Sequence, residues 1–511
     1  MGKQGILSYR TEGEQTRDNL TGLSGLAPYV DLIVASGVLK SLGDGVSICG
    51  EQGWTDEEMG LSLLLLNLAG GDCVDDLEQL NADKGFCKLL KWCVNRALSR
   101  RQRREMGRRW RRAKNRSIAS ASAARRWLSG FHDEVQEKQR VPGKSFIPKP
   151  NKHLSGLVAA NGDFVGWVQG VSPEYMATLD LDATIIEVTK RNALFCYKGC
   201  RAYQPLNVWW AEQELMLLSE FRDGNVPAGW NQLSVVKQAI LMLPKSVRSV
   251  RLRSDTAGYE HALLKWLDAS DNKGRIGRIE FAISCDVTQE FKAAVMQVEE
   301  SEWRPLFKEV NGRNVKTGRE YAEVCFVPDA IAFTKNAPRY RYLATREALH
   351  NQPLRGMDCE QLSLPFQTMT KSGITYKVFG VVTNLSWDGS EVICFHDGRC
   401  GKSEEAHKIL KEDFAGGKMP SSEFGANAVW WQIAVLAMNI ASAMKRVVLG
   451  GVWSKRRMKA IRFLLIDVPG RVLEKARGLY LRLSQDHPAL ELIARARLRI
   501  LDLSNAPPIP A

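Results

Sequence analysis

Residues 178–187, TLDLDATIIE, constrain the fold more than any other stretch. The run has the composition of a buried strand, yet it carries Asp180 and Asp182. Side chains alternate across a strand, so the two acids share one face while Leu179, Leu181 and Ala183 take the other. Burying a carboxylate is costly unless it is paired or bound, so that face points to a polar site. The order of elements that follows sets the class. LNVWWAEQELMLLSEF reads as strand material around a turn, and NQLSVVKQAILML has the apolar spacing of an amphipathic helix. SVRSVRLRSD, residues 246–255, alternates as a strand that ends at Asp255, and HALLKWLD reads as a helix. Strands alternating with helices predict an α/β sheet with helices packed on it. Reactive side chains in such sheets sit at strand ends, so Asp182 and Asp255 are expected to meet.

Texture divides the rest of the chain. From Leu20 to Cys93 it reads helical, with Thr55 as an N-cap, Glu58 three residues on, and Gly70 and Gly71 closing the apolar run. In NRALSRRQRREMGRRWRRAKNR, residues 95–116, Glu105 is the only acid among eleven Arg and Lys. Both sides of a helix built from this run are basic, so Arg108, Arg109, Arg111 and Arg112 are expected to meet phosphates, with Trp110 among them to stack or pack. A second short helix, capped by Ser120 or Ser122, carries Arg125 and Arg126. Pro142, Gly143, Pro148 and Pro150, with four lysines between 138 and 152, mark a linker. Beyond it FVGWVQG and MATLDLDATIIEV read as strands. From about residue 275 to 390 the chain is rich in strand patterns and reads as a mostly β insertion. It turns helical again at GKSEEAHKILKEDFAG and through FGANAVWWQIAVLAMNIASAMKRVV, where Gln432 and Asn439 mark a core helix rather than a membrane one. The tail is basic and amphipathic and is expected to be helical. The expected divisions are 1–150, a helical basic region and linker; 151–274 and 391–450, the two parts of the core; 275–390, the insertion; and 451–511, the helical tail.

Charge narrows the partners. Lys and Arg outnumber Asp and Glu by 71 to 57, a formal charge of +14, which favours a polyanion such as nucleic acid or a membrane surface. The first residues lack a signal-peptide pattern, and no stretch reaches the roughly 18 uninterrupted apolar residues of a span, so the expected place is the cytosol. Eleven cysteines without paired CxxC spacing argue against a disulfide framework and give no zinc signature. Cys196 and Cys200 come closest and read as reduced thiols.

The acids fit metal chemistry. A hard divalent cation takes a few carboxylates and keeps positions for water and phosphate oxygens. Two such ions activate an attacking oxygen and stabilise a leaving one in phosphodiester cleavage. Asp182, Asp255 and one of Glu404 and Glu405 lie beside regular elements and basic residues and are the candidates. The plainer alternative for each is a cap or turn acid. Trp209, Trp210, Trp430 and Trp431 sit in apolar runs and read as core rather than as stacking platforms. RNA is disfavoured as a partner, since no aromatic RNA-recognition signature occurs.

At these residues the chain resembles a known family. The segments TLDLDATIIEVTKRNALFCYKGCRAYQPL, SEFRDGNVPAG, VRLRSDTAGYEHALL, RCGKSEEAHKILKEDFAGGKMPSSEFGANAVWW and MKRVVLGGVWSKRRMKAIRF look like those of bacterial insertion-sequence transposases of the DDE type, in the subgroup called the thirteen-eighty family. The resemblance runs from about residue 20 to about 500. It implies a ribonuclease H-like catalytic core interrupted by a β insertion before the last acid. By resemblance the catalytic and metal-holding acids are Asp182, with Thr184 two residues on, Asp255 in RSDTAG, and Glu404. Relatives place a Lys seven residues after that Glu, which selects Glu404 with Lys411 over Glu405 with Glu412. The Arg of the signature is Arg399, five residues before Glu404 where four is usual, and His396 stands where Tyr is expected. Arg399 and Lys411 would contact DNA phosphate. The resemblance further implies two Mg2+ or Mn2+ ions, double-stranded DNA partners (terminal inverted repeats and target), a dimer in the synaptic complex, hairpin-ended excision by cutting and pasting, and a bacterial, nucleoid-associated location. A DNA-binding protein that has lost catalysis and a nuclease of the same fold that cuts without joining are the rival readings.

Overall fold

The computed structural model describes residues 19–109, 116–270, 274–310, 312–329, 339–349, 367–399, 402–475 and 478–505. Trp110, Arg111 and Arg112 lie outside the described residues.

The N-terminal third is built of helices whose ends follow from local chemistry. These include α1 (Ala27–Ala35), α2 (Val38–Gly45), α3 (Asp56–Ala69), α4 (Lys84–Ala97), α5 (Arg100–Arg108) and α6 (Ala121–Ser129). Thr55 and Glu58 form the expected reciprocal cap of α3, and Gly70 ends it in the left-handed region at φ 97°. Ser120 caps α6. The next helix, α7 (Lys152–Val171), corrects the strand expected at FVGWVQG. Leu157, Ala160, Asn161, Phe164, Val165, Val168 and Gln169 are its buried residues, a stripe of period 3.6 that a seven-residue window shows only as an apolar run. Asn151 caps it by accepting from the Leu154 N–H at 2.9 Å. α7 crosses α2 at two glycines: a Cβ on Gly156 would stand 2.0 Å from the Gly45 carbonyl oxygen, so both side chains must be absent for the backbones to meet.

The central sheet follows. Its first strands are β1 (Met176–Ala183), β2 (Leu206–Trp210), β3 (Leu215–Glu220), β4 (Ser249–Ser254) and β5 (Glu280–Cys285). They lie side by side in the order β3-β2-β1-β4-β5. β3, β2 and β1 are antiparallel neighbours, whereas β1, β4 and β5 run parallel. The helices α8 (Gln232–Met242) and α9 (His261–Asp268) make the crossovers that parallel strands require. Then come α10 (Gln289–Gln297) and the strands β6 (Arg304–Val310), β7 (Arg313–Val324), β8 (Arg341–Ala348), β9 (Thr368–Lys371) and β10 (Ile374–Thr383). The β-rich segment does not form a sheet of its own. Its first strand, β5, pairs in parallel with β4, and β10 pairs antiparallel with β5, so among the described residues ten strands make one mixed sheet.

Three helices close the core: α11 (Gly389–Asp397), α12 (Lys402–Asp413) and α13 (Phe424–Ala443). α13 is buried along its whole length, and its polar side chains bond to the sheet side of the core. Gln432 donates to the Ser219 carbonyl, and Asn439 accepts from the Met216 N–H and donates to its carbonyl. With its continuation to Leu449 it is long and apolar enough to cross a membrane, but 72% of its most apolar window is buried inside the protein. Trp210, Trp430 and Trp431 are fully buried, as expected of core residues. The tail departs from the helical expectation. The strands β11 (Gly470–Lys475) and β12 (Gly478–Arg482) form a hairpin, and Asn19–Thr21 pairs with β11, before a last helix at Ala489–Asn505. Gly470 and the Val472-Leu473 pair start a strand pattern that the surrounding basic residues hide.

Candidate active site

The register of β1 against β4 builds the site. Asp180 is paired with Arg253 and Leu181 with Ser254, so one step further along the two parallel strands stand Asp182 and Asp255. In sequence terms D-L-D lies over R-S-D: the first position of each becomes an ion pair, and the last places two acids at adjacent strand ends.

The first position is closed. Arg253 grips Asp180 through two hydrogen bonds of 2.5 and 2.8 Å and donates to the Phe395 carbonyl at 2.9 Å, which ties the end of α11 to the sheet. Burial raises the Asp180 pKa although Arg253 opposes it, so the pair is a desolvated structural clamp. Asp180 thus stands behind the site, its carboxylate occupied by Arg253, a partner not expected from the sequence. No local signal marks it: Arg253 shares its strand phase with exposed Ser249 and partly buried Arg251, and only the register opposite Asp180 buries it.

The second position is open to chemistry. The Asp182 side chain is 13% exposed, and its Oδ2 faces the Arg399 guanidinium at 3.4 Å and His407 Nδ1 at 3.8 Å. Asp255 caps the short turn at Thr256–Gly258, with Oδ1 accepting from the Ala257 N–H at 3.0 Å. Thus the cap alternative describes one of its oxygens. His396, at the expected Tyr position, is buried. Its Nε2 lies 3.1 Å from both the Ser254 carbonyl and the Ser284 hydroxyl, so it locks the end of β4 against β5.

α12 carries the residue expected as the third acid. Glu404, His407 and Lys411 fall on one face by the i, i+3, i+7 rule. His407 sits at Asp182, and Lys411 donates to the Ile185 carbonyl at 3.3 Å, so that face lies across the end of β1. Burial lowers the pKa of Lys411. Burial, with Lys411 and Arg399 nearby, pushes His407 down to about 4, so at neutral pH it meets Asp182 as a neutral dipole rather than an ion-pair partner. Glu405 points elsewhere, into a groove lined by Lys445, Arg456 and Arg457. Glu404 is exposed, and among the described residues no three His, Cys, Asp or Glu side chains converge closely enough to hold a metal ion. The structure therefore brings together Asp182, Asp255, Arg399 and Lys411, and leaves Glu404 on the adjoining helix face. The donor chemistry suits a hard divalent cation: carboxylates at adjacent strand ends.

The basic helix separates into two roles. Arg108 on α5 is exposed, as a phosphate contact requires. Arg109 is not available in the same way, which corrects its assignment. Its guanidinium donates to the carbonyls of Gly50, Gly53 and Trp54 and stitches α5 to the loop before α3. Cys196 and Cys200 lie 3.4 Å apart as free thiols in a loop beyond β1.

A mixed sheet with acids at the ends of its central parallel strands, flanked by arginine and lysine, is the frame of a phosphodiester-processing enzyme. The family model described as "Transposase DDE domain group 1" matches residues 55–332 and 367–505. The chain belongs to this family of DDE transposases, and membership implies metal-dependent phosphodiester chemistry on DNA. Among solved structures the chain is similar to one chain of a cryo-EM structure of the piggyBac transposase synaptic complex with hairpin DNA, at 12% identity and a TM-score of 0.43, covering 88% of this chain and 81% of that one. Comparison with curated proteins gives no match.

Proposed function

We propose that this protein is the transposase of a bacterial insertion sequence of the thirteen-eighty type, acting by cutting and pasting through hairpin ends. The observation that carries the reading is the alignment of Asp182 and Asp255 at the ends of adjacent parallel strands within a DDE family chain. The strand order β3-β2-β1-β4-β5, antiparallel through the first three and parallel through the last, supports a ribonuclease H-like core. Asp182, Asp255 and Glu404 would hold a pair of Mg2+ or Mn2+ ions, Glu404 coming within reach once DNA is seated. When bound, such ions supply an activated oxygen nucleophile and neutralise charge on the leaving oxygen. The side chains do the rest. Arg399, a planar fork, and Lys411, a point charge, meet the scissile phosphate. Cleavage frees a 3′-hydroxyl at the element's end, and that oxygen forms a new bond to a phosphorus as the bond to the former neighbour breaks. Arg108 and the arginine run around it bind the terminal inverted repeats, and two chains bring the two ends together. The protein would act at the bacterial nucleoid in the cytoplasm.

The test is incubation of the full chain with labelled DNA carrying the element's ends, with Mg2+ and a target plasmid. Hairpin-ended and joined products are expected. End binding without cutting would support the catalytically inert reading, and cutting without joined product the nuclease.

A further inference from the structure

A buried hydrogen-bond chain runs from the core helix α13 to the first acid. Trp431 Nε1 donates to Ser219 Oγ at 2.6 Å, Ser219 Oγ donates to Asn207 Oδ1 at 2.6 Å, and Asn207 Nδ2 lies 3.0 Å from His407 Nε2. Beyond the ring, His407 Nδ1 faces Asp182 Oδ2 at 3.8 Å. Trp431, Ser219, Asn207 and His407 are all buried.

The indole N–H and the orientation of the Asn207 amide together fix the direction of this chain. An indole N–H can only donate. Ser219 therefore accepts from Trp431, and its own single proton goes on to Asn207 Oδ1. With its carbonyl occupied, the Asn207 amide presents N–H to the imidazole, so His407 Nε2 must accept. A neutral imidazole carries one proton, and that proton is left on Nδ1, the nitrogen that faces Asp182. Asn207 also stands opposite Asp182 in the strand register, so the sheet holds both ends of the relay in place. At 3.8 Å the last step is a directed N–H dipole rather than a hydrogen bond. It approaches the same carboxylate oxygen as Arg399.

We infer that His407 is a positioning residue for Asp182: the Trp431–Ser219–Asn207 chain fixes its Nδ1–H tautomer, and that N–H orients the carboxylate toward a bound divalent ion. This rests on the transposase reading, in which Asp182 is a metal ligand. Partners behind a ligand that set its orientation change metal affinity by about 10–100-fold when lost.

Two measurements test it on the full chain. The first uses ring-15N histidine and reads the His407 nitrogens without metal, the signal being assigned by its loss in His407→Asn. Protonated Nδ1 and bare Nε2 are expected, and protonated Nε2 overturns the inference while leaving the transposase reading intact. The second is Mn2+ titration, followed by the spin-resonance signal of free Mn2+, with end DNA present. In His407→Asn the amide nitrogen takes the place of Nδ1, and in His407→Gln that of Nε2, so both variants keep a polar group in the buried site. His407→Asn is expected to hold the Mn2+ dissociation constant within about threefold of wild type, and His407→Gln to raise it by about 10–100-fold. Equal affinities in the two variants, or the reverse order, overturn the positioning role. Absence of Mn2+ binding by wild type overturns the metal-ligand reading beneath it.

Discussion

The middle of the central strand and its end treat a carboxylate in opposite ways, although Asp180 and Asp182 are two residues apart on one face. In the middle, Asp180 is 1% exposed and closed by Nε and Nη2 of Arg253. At the end, Asp182 meets the same sheet register but faces an arginine and a neutral imidazole across longer gaps, beside a second acid. One strand phase thus supplies both a closed clamp and a partly exposed carboxylate, and what separates them is the partner that the neighbouring strand offers at each step. Burial with a tight partner makes a carboxylate structural, whereas partial exposure at a strand end leaves an oxygen accessible.

The comparison breaks most visibly in activity. Asp182→Asn or Asp255→Asn should reduce end cleavage on the order of 10^4-fold, while thermal unfolding and end binding stay close to wild type. A parallel loss of folding would make these acids structural like Asp180. Asp180→Ala should do the reverse. It leaves the Arg253 charge buried and unpaired and should destabilise the protein by roughly 3–5 kcal/mol in urea unfolding, and Asp180→Leu combined with Arg253→Met should regain most of that. If the single and double variants unfold alike, the clamp is not what holds the strands.

A smaller effect sharpens the contrast between paired and open acids by pH. Burial pushes the Asp397 carboxyl up, but His396 and Arg319 outweigh it and hold the pKa below the ordinary 3.8. A depressed carboxyl contributes stability above the unfolded value and loses it as pH falls through the folded one. Asp397→Asn should therefore be less stable than wild type by about 1 kcal/mol at pH 7, a figure already reduced for a carboxyl about a third exposed, and the gap should close progressively below pH 3.8. A gap that does not depend on pH would assign the loss to packing. A last contrast separates two neighbouring arginines. Arg108→Ala should leave stability unchanged and lower the salt slope of DNA binding by about 1. Arg109→Ala should cost about 1–2 kcal/mol of stability through its lost carbonyl contacts.

Local chemistry was legible in the sequence. The Thr55 cap, the left-handed Gly70, the central strand and the buried tryptophans all follow from short-range pattern. So did the placement of Asp182 and Asp255 at strand ends, because a period-two run that ends in an acid marks both the strand and its exit. Long-range pairing was not legible. Nothing local in EFAISC says that it joins the core sheet in parallel with residues some thirty positions earlier. The hairpin of the tail is likewise stabilised by Asn19–Thr21, more than four hundred residues away. Arg109 illustrates the same limit. Its neighbours in sequence are basic and exposed, but three carbonyls from the loop at residues 50–54 decide its role. The Asn207–His407 link joins residues 200 apart and carries no sequence signature.

The central claim is that the strand-end acids act with Glu404, on the α12 face that carries His407 and Lys411, rather than with Glu405 in the groove behind it. The most direct measurement is cleavage of labelled end DNA in Mg2+ or in chelator by wild type, Glu404→Gln and Glu405→Gln side by side. Metal-dependent cutting that survives in Glu405→Gln and vanishes in Glu404→Gln is the predicted result. Cutting that survives in Glu404→Gln, or that ignores chelator, would contradict the account.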